Sequence, residues 1–487
     1  MTWQNRTPAQ AVFHWSQERP LAIAIASSGK EHNYLQVAKS VAAIALRLEK
    51  AGVRRGSVIG IQCNQRTLSL LLLLAIDALR ATPAYLSTID LSDQRWLDRC
   101  DVVLAEAPLA VNCIADVLIE LTDAWLNSVL SCSVEDADFK RLSHILPHDD
   151  DHVFLGGTSS TTGDKKYFFD TRAALQHQLQ LMAKLYFPDA SINFICPYGV
   201  WLGAAYAGCF IALNVGSTIV FSSILQFSSD LNRYPGSHSA LLLRDAEKIA
   251  ELPILDESIQ NRLSTVRVLG AYLSNNIRKL LEKKVSNRVI NTYSSNEAGQ
   301  VAEILSDGSG EIYPGIQVKI VTESRASLQI GEIGLIAINS PGSIRGYLWN
   351  DELTAKHFDN GWYYSSDLGF LTETGRIVIV GRADDMLNLG GVKISPTPYE
   401  QQIREIEGVS DCVLICENEV FGLDHLIVCV DLESGYEAKK LNELILSNLK
   451  RRFDHITTHF LAMFPRTDTG KVKRNELKEI IKTRMRL

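Results

Sequence analysis

The 487-residue chain is poor in the features that mark several protein classes. It has no long apolar run: its greasiest stretch, Leu68 to Ala78, is broken by Asp77 and then by Arg80. A membrane span needs about 20 apolar residues, so none is expected. The first residues, Met1 to Arg6, lack the basic start and apolar core of a secretory leader. Nine cysteines include no CxxC pair, and an odd number cannot all pair internally. Cys412 and Cys416 flank the strand-like Val413-Leu414-Ile415, which favours buried thiols over a metal site. A soluble chain in a reducing, cytoplasmic setting is the expectation. With 49 Lys/Arg against 56 Asp/Glu the net charge is −7, which argues against a protein that coats nucleic acid. GxSxG, HExxH and GxGxxG are all absent, which disfavours the hydrolases and dinucleotide enzymes built on them. No internal repeat or low-complexity tract occurs.

What is present reads as a globular chain of about three domain-sized units. Val37 to Glu49 places Val37, Val41, Ile44, Ala45 and Leu48 on one helical face, and Gly52 follows as a stop. Val58 to Ile61 reads as a strand, Leu68 to Leu79 as a helix, Val102 to Leu104 as a strand and Leu109 to Leu121 as a helix behind Pro108. Alternation of this kind implies parallel sheets with crossover helices. Leu175 to Leu185 reads as helix, and Gly208 to Phe221 as helix then strand. From Gly310 to Gly346 short β runs and turns take over, suggesting an antiparallel or barrel-like portion. Beyond Gly381 strands at Cys412–Cys416 and Leu426–Val430 mix with a helix at Leu441–Arg452. Residues 450–487 carry eleven Lys/Arg against four Asp/Glu, which reads either as a solvated basic face or as a small basic lobe handling polyanionic phosphate ligands, and the motifs below favour the second.

Five segments carry chemistry. Thr158-Ser159-Ser160-Thr161-Thr162-Gly163-Asp164-Lys165-Lys166 follows Gly156-Gly157. Small hydroxylated residues cannot fill a core, but their N–H and O–H groups can donate to phosphate oxygens, with Lys166 adding a point charge. A Walker A loop is excluded, because Gly163 is followed by Asp164. The second segment is Asn291-Thr292-Tyr293-Ser294-Ser295-Asn296-Glu297, whose carboxylate is a hard oxygen ligand for Mg²⁺. The third is Gly361-Trp362-Tyr363-Tyr364-Ser365-Ser366-Asp367-Leu368-Gly369. The fourth runs from Gly381-Arg382-Ala383-Asp384-Asp385 to Pro396, and the chain closes with Pro465-Arg466-Thr467-Asp468-Thr469-Gly470-Lys471.

In order and spacing these segments resemble the signatures TSGTTGxPK, YGxTE, GWxxTGDLG, GRxDDxIKxxGxxIxP and PRTxxGKxxR of the adenylate-forming superfamily. That group includes acyl-CoA synthetases, peptide-synthetase adenylation domains and luciferases. Serines stand in place of glycines at Ser160, Ser294 and Ser366, and Lys165 replaces a proline. The resemblance implies an α/β fold. A large N-terminal core (residues 1–383) would hold two doubly wound sheet subdomains and a small β-barrel. A small mobile α+β domain (residues 384–487) would follow, with Asp384 at the hinge. It implies ATP and Mg²⁺, with Thr158–Gly163 and Lys166 on the phosphates, Gly270, Ala271 and Tyr293 about the adenine, Asn296 on the α-phosphate and Glu297 on the metal. Asp367 would hold the ribose, Arg382 would contact the nucleotide, and Lys471 would be the catalytic lysine.

The implied reaction turns a carboxylic acid into an acyl adenylate and passes it to the thiol of coenzyme A or of a phosphopantetheine on a separate acyl carrier protein. Asn193, Phe194, Tyr198, Val200, Trp201 and Ser295 fall where this family builds its acyl pocket. No carboxylate lies between Ser191 and Ser223 to pair with an α-ammonium group, so an aryl or short acyl acid is expected. A stand-alone amino-acid activator and a degenerate nucleotide-binding relative are the alternatives.

Overall fold

Asn33 opens the first long helix by a capping box, its side chain accepting from the Gln36 N–H while Gln36 returns the bond. The helix, Tyr34–Lys50, buries the predicted stripe Val37, Val41, Ile44, Ala45 and Leu48. It packs on a second helix, Arg66–Ala78, which is apolar on nearly every side. Such a helix must be sandwiched rather than laid on a surface, and Leu70, Leu72 and Leu74 are wholly buried.

The structure is a computed structural model of the chain. It describes all residues except 1–5, 87–96, 107–116, 132, 159–165, 188–190, 253–262, 271, 390–391, 419–423, 433–434, 450–452, 454, 462, 467–471 and 486–487. Two sheets share the core between them. The first runs Val117–Glu120, Val102–Ala105, Val58–Gln62, Thr82–Tyr85, His152–Thr158 in parallel, and Lys166–Thr171 closes it antiparallel. The expected helix ending at Leu121 is overturned at its described end, since Val117–Glu120 is an edge strand. Valine and isoleucine suit that pleated position beside Val102–Ala105 better than a helical turn.

The second sheet has a parallel half, ordered Ile23–Ser27, Ile219–Phe221, Asn193–Cys196, Ser237–Leu242, Leu263–Leu269, Val289–Ser295. The chain then turns back through Gly299–Ile304 into an antiparallel half. This continues through Ser309–Ile312, Ile377–Arg382, Trp362–Leu371, Gly334–Asn339 and Gln317–Val321. The β runs expected to curl into a small barrel therefore extend this sheet, and no pairing among the described residues closes them. The helices Arg172–Tyr186 and Gly203–Val215 fill the space between the two sheets.

After Arg382 a separate three-stranded sheet forms from Val409–Asn418, Asp424–Leu432 and Ile456–Leu461. Helices Thr397–Arg404, Ala438–Leu449 and Arg474–Met485 accompany it, and two small clusters form its own core. Among the described residues no helix is long and apolar enough to cross a membrane.

Candidate active site

Where the two large sheets and the C-terminal unit meet, a cleft of about 2570 Å³ opens. The strands His152–Thr158 and Lys166–Thr171 form a hairpin in which Thr158 faces Lys166 across the ladder. The residues flanking the hydroxyl-rich segment are thus paired in the sheet, and Gly157 and Lys166 line the cleft. Ser159, Ser160, Thr161, Thr162 and Gly163 themselves lie outside the described residues. Lys166 holds its ammonium 5.3 Å from the centre of the Tyr347 ring, and the Tyr347 hydroxyl donates to Glu297 Oε1 at 2.9 Å. A cation, a phenol and a carboxylate therefore share one corner. Burial, reinforced by Glu297, pushes the Tyr347 hydroxyl far up, so it stays a donor at any ordinary pH.

Glu297 is itself 8% exposed and sits on the turn between Val289–Ser295 and Gly299–Ile304. The turn is tight because Gly299 adopts φ +73°, and a Cβ there would lie 2.7 Å from Gln178 Cδ. Mg²⁺ is commonly held by one or two carboxylates together with substrate phosphates. A lone buried Glu297 lining an open cleft fits that role, and it is the residue that would hold the ion.

A second polar group lies along the same wall. The Tyr293 hydroxyl donates to Asp367 Oδ2 at 2.7 Å. Asp367 stands opposite Arg382 in the antiparallel ladder, with Arg382 Nε 3.9 Å from Asp367 Oδ1. Arg382 reaches Asp384 with Nη2 at 3.4 Å. Burial and then Asp367 raise the Tyr293 phenol well above its ordinary range. The Asp367 N–H donates to Ser365 Oγ, which in turn donates to the Ile336 carbonyl, fixing this stretch against its neighbour strand. Asn296, Ser295 and Gly270, the last at φ +91°, also line the cleft. Ala271 lies outside the described residues.

The residues expected at the acyl pocket are placed unevenly. Trp201 and Ser295 line the cleft. Phe194 and Val200 are wholly buried, and Phe194 packs its ring beneath Gly208. Asn193 donates to the Pro235 carbonyl at 3.3 Å, and the Tyr198 hydroxyl donates to Asp245 Oδ2 at 2.8 Å, behind the cleft wall. For Phe194 the cause is topological: Asn193–Cys196 is a central strand between two neighbours, and Phe194 to Cys196 are buried on both its faces. One end of the cleft is instead lined by Tyr85, Phe154, Asp170, Met182, Trp201 and Tyr206. Tyr85 stands 6.5 Å from Phe154 and 6.2 Å from Trp201, and Phe154 stands 5.2 Å from Tyr206. Phe154 and Asp170 face each other across the hairpin, and the apolar runs Val153-Phe154-Leu155 and Tyr167-Phe168-Phe169 around them show no alternation that singles them out.

The C-terminal unit forms the opposite wall with Asp384, Asp385, Arg404, Asp411, Arg466 and Arg474. It is tied to the large unit through Glu405, which accepts from the Asn275 N–H at 3.0 Å and the Tyr272 hydroxyl at 3.5 Å. Within it Arg404 and Arg466 grip Asp411 at 2.7 and 2.5 Å, holding that carboxyl low despite its burial. Lys471 lies outside the described residues. Its neighbours Val472 and Lys473 line the cleft, and Val472 bridges to Arg466. The ends of the segment bearing Lys471 are therefore anchored at the cleft rim.

Comparison with known proteins agrees with this layout. A 3-hydroxybenzoate–CoA ligase of Aromatoleum sp. is 32% identical over 180 residues, covering 36% of this chain and 34% of that protein. A 2-succinylbenzoate–CoA ligase of Listeria monocytogenes is 22% identical over 484 residues, covering 96% and 99%. The Bacillus subtilis O-succinylbenzoate coenzyme A synthetase, solved with ATP and magnesium, superposes with a TM-score of 0.80 at 18% identity over 96% of this chain and 99% of that one. Residues 12–348 match the family model of the AMP-binding enzymes, and the chain is a member of that family.

Proposed function

We propose that the protein activates an aryl or short acyl carboxylic acid with MgATP and transfers the acyl group to a thiol. The observation that carries this is a single cleft in which the Lys166–Tyr347–Glu297 corner, the Tyr293–Asp367–Arg382 group and the anchored ends of the Lys471 segment face one another. The names of its relatives, ligases joining benzoate-type acids to coenzyme A, support the same reaction and the aryl class.

In the first half-reaction the acid's own carboxylate is the nucleophile toward the α-phosphorus, so no general base is required. Repulsion between anions and charge developing at phosphorus make up the barrier, and placed cations and donors lower it. Tyr293 and Asp367 would fix the adenosine, with Asp367 accepting from the ribose hydroxyls. Lys166 and the 158–163 segment would hold the departing pyrophosphate, Asn296 the α-phosphate, and Lys471 both reactants. Magnesium on Glu297 would neutralise phosphate charge. Residues 384–487, hinged at Asp384, would then swing so that the thiol reaches the acyl adenylate.

The test is acid-dependent ATP–pyrophosphate exchange, followed by thioester assay with coenzyme A and with a phosphopantetheinylated carrier protein offered separately. Exchange driven by benzoate-type or short acyl acids, with AMP and thioester as products, is expected. No exchange with any carboxylic acid would overturn the reading.

A further inference from the structure

The aromatic end of the cleft contains a polar group that the reaction does not use. Asp170 closes the strand Lys166–Thr171 and lines the cleft among Phe154, Leu175, Tyr206 and Met182. Its Oδ1 is sealed from solvent and has no hydrogen-bond partner among the described residues. Nearby hydroxyls are committed elsewhere: Tyr206 donates to the Val153 carbonyl at 3.0 Å, and Tyr85 to the Ser69 carbonyl at 3.5 Å. Burial raises the Asp170 carboxyl to about 7, opposed by the Thr171 N–H.

With the Thr171 N–H on the carboxyl, the unmet acceptor is Oδ1, and a buried oxygen left without a donor destabilises the site it sits in. Buried polar groups are nearly always satisfied, so an unmet oxygen lining an open cleft is a place for a bound molecule to donate. Pockets for small acids are mostly apolar, with one or two polar groups that fix orientation and choose the substrate. Building on the acid-activating reading above, we infer that Asp170 is a specificity residue, receiving a ring hydroxyl or ring amine of an aryl acid whose ring lies among Tyr85, Phe154, Trp201 and Tyr206. The same carboxyl repels a second carboxylate, which sets this pocket against dicarboxylic acids.

The discriminating experiment measures exchange kinetics for wild type, Asp170→Asn and Asp170→Leu. The acids are benzoate, the three hydroxybenzoates, the three aminobenzoates, benzene-1,3-dicarboxylate and phenylalanine. Wild type should use at least one hydroxy or amino isomer about tenfold or more better than benzoate in kcat/KM. Which set contains it tells hydroxyl from amine. Asp170→Leu should abolish that preference and raise benzoate. Asp170→Asn, nearly the same size and so least disruptive to folding, should lose most of it, with the loss repeated in calorimetric binding of the acid alone. An unchanged ranking in the folded variants, or a wild-type preference for benzoate, the dicarboxylate or phenylalanine, overturns the inference while leaving acid activation intact. Absence of exchange with every acid overturns both.

Discussion

The two ends of the cleft are built on opposite plans. At the nucleotide end the described polar groups pair with one another: Tyr293 with Asp367, Asp367 with Arg382, and Tyr347 with Glu297. At the aromatic end rings touch rings, and the one carboxyl, Asp170, has an oxygen with no partner among the described residues. The first arrangement is pre-organised for a ligand that never changes, since its donors and acceptors are held before anything binds. The second gets its selectivity from shape and from a single unmet bond, so a few substitutions there could alter the acid without touching the chemistry.

This contrast can be broken experimentally. Asp367→Ala removes a charged acceptor, and hydrogen bonds to charged groups are worth about 1.5–3 kcal/mol. The KM for ATP in the exchange assay should rise about 10- to 100-fold, while the preference among acids stays as it was. A change in acid ranking would show that the two ends are not separable. Trp201→Ala should do the reverse at smaller amplitude. Its ring is 43% exposed on the cleft wall, so losing it should raise the KM for an aryl acid several-fold and leave that for ATP alone.

The smallest effect concerns the junction with the C-terminal unit. Glu247 lines the cleft there, and burial followed by the charge of Asp411 raises its carboxyl to about 8. A carboxyl raised on folding holds its proton better in the native state, so the native state loses stability as pH climbs from the ordinary carboxylate range through about 8. Glu247→Gln removes that loss. Its melting temperature should match wild type near pH 4, exceed it increasingly up to about pH 8 and then hold a constant gap. A constant difference at every pH would mean Glu247 is hydrated and the two units stand apart.

Much of this was legible in the sequence because the nucleotide end is written in contiguous segments. Tyr293 lies on a strand and Glu297 on the turn that follows it, and Asp367 and Arg382 share one antiparallel pairing, so local motifs and register carry the geometry. The aromatic end is assembled from elements far apart in the chain, Tyr85 and Phe154 on strands and Tyr206 on a helix, and no short motif spans them. The segment Asn193–Gly203 holds the right kinds of side chain, yet sheet order decides which of them reach the cleft: Trp201 does, while Phe194 and Val200 are sealed in core. The continuation of one sheet where a barrel was expected has the same origin, since closure depends on pairing between distant edges and not on the β character of each run.

The central claim is that a lysine near the carboxyl end and the polar wall of the large unit serve one nucleotide in one step. Assaying both half-reactions on Lys471→Ala tests it directly. Exchange should fall by about 10²-fold or more, while thioester formation from supplied acyl adenylate stays near the wild-type rate. Equal loss of both half-reactions, or full retention of exchange, would contradict it.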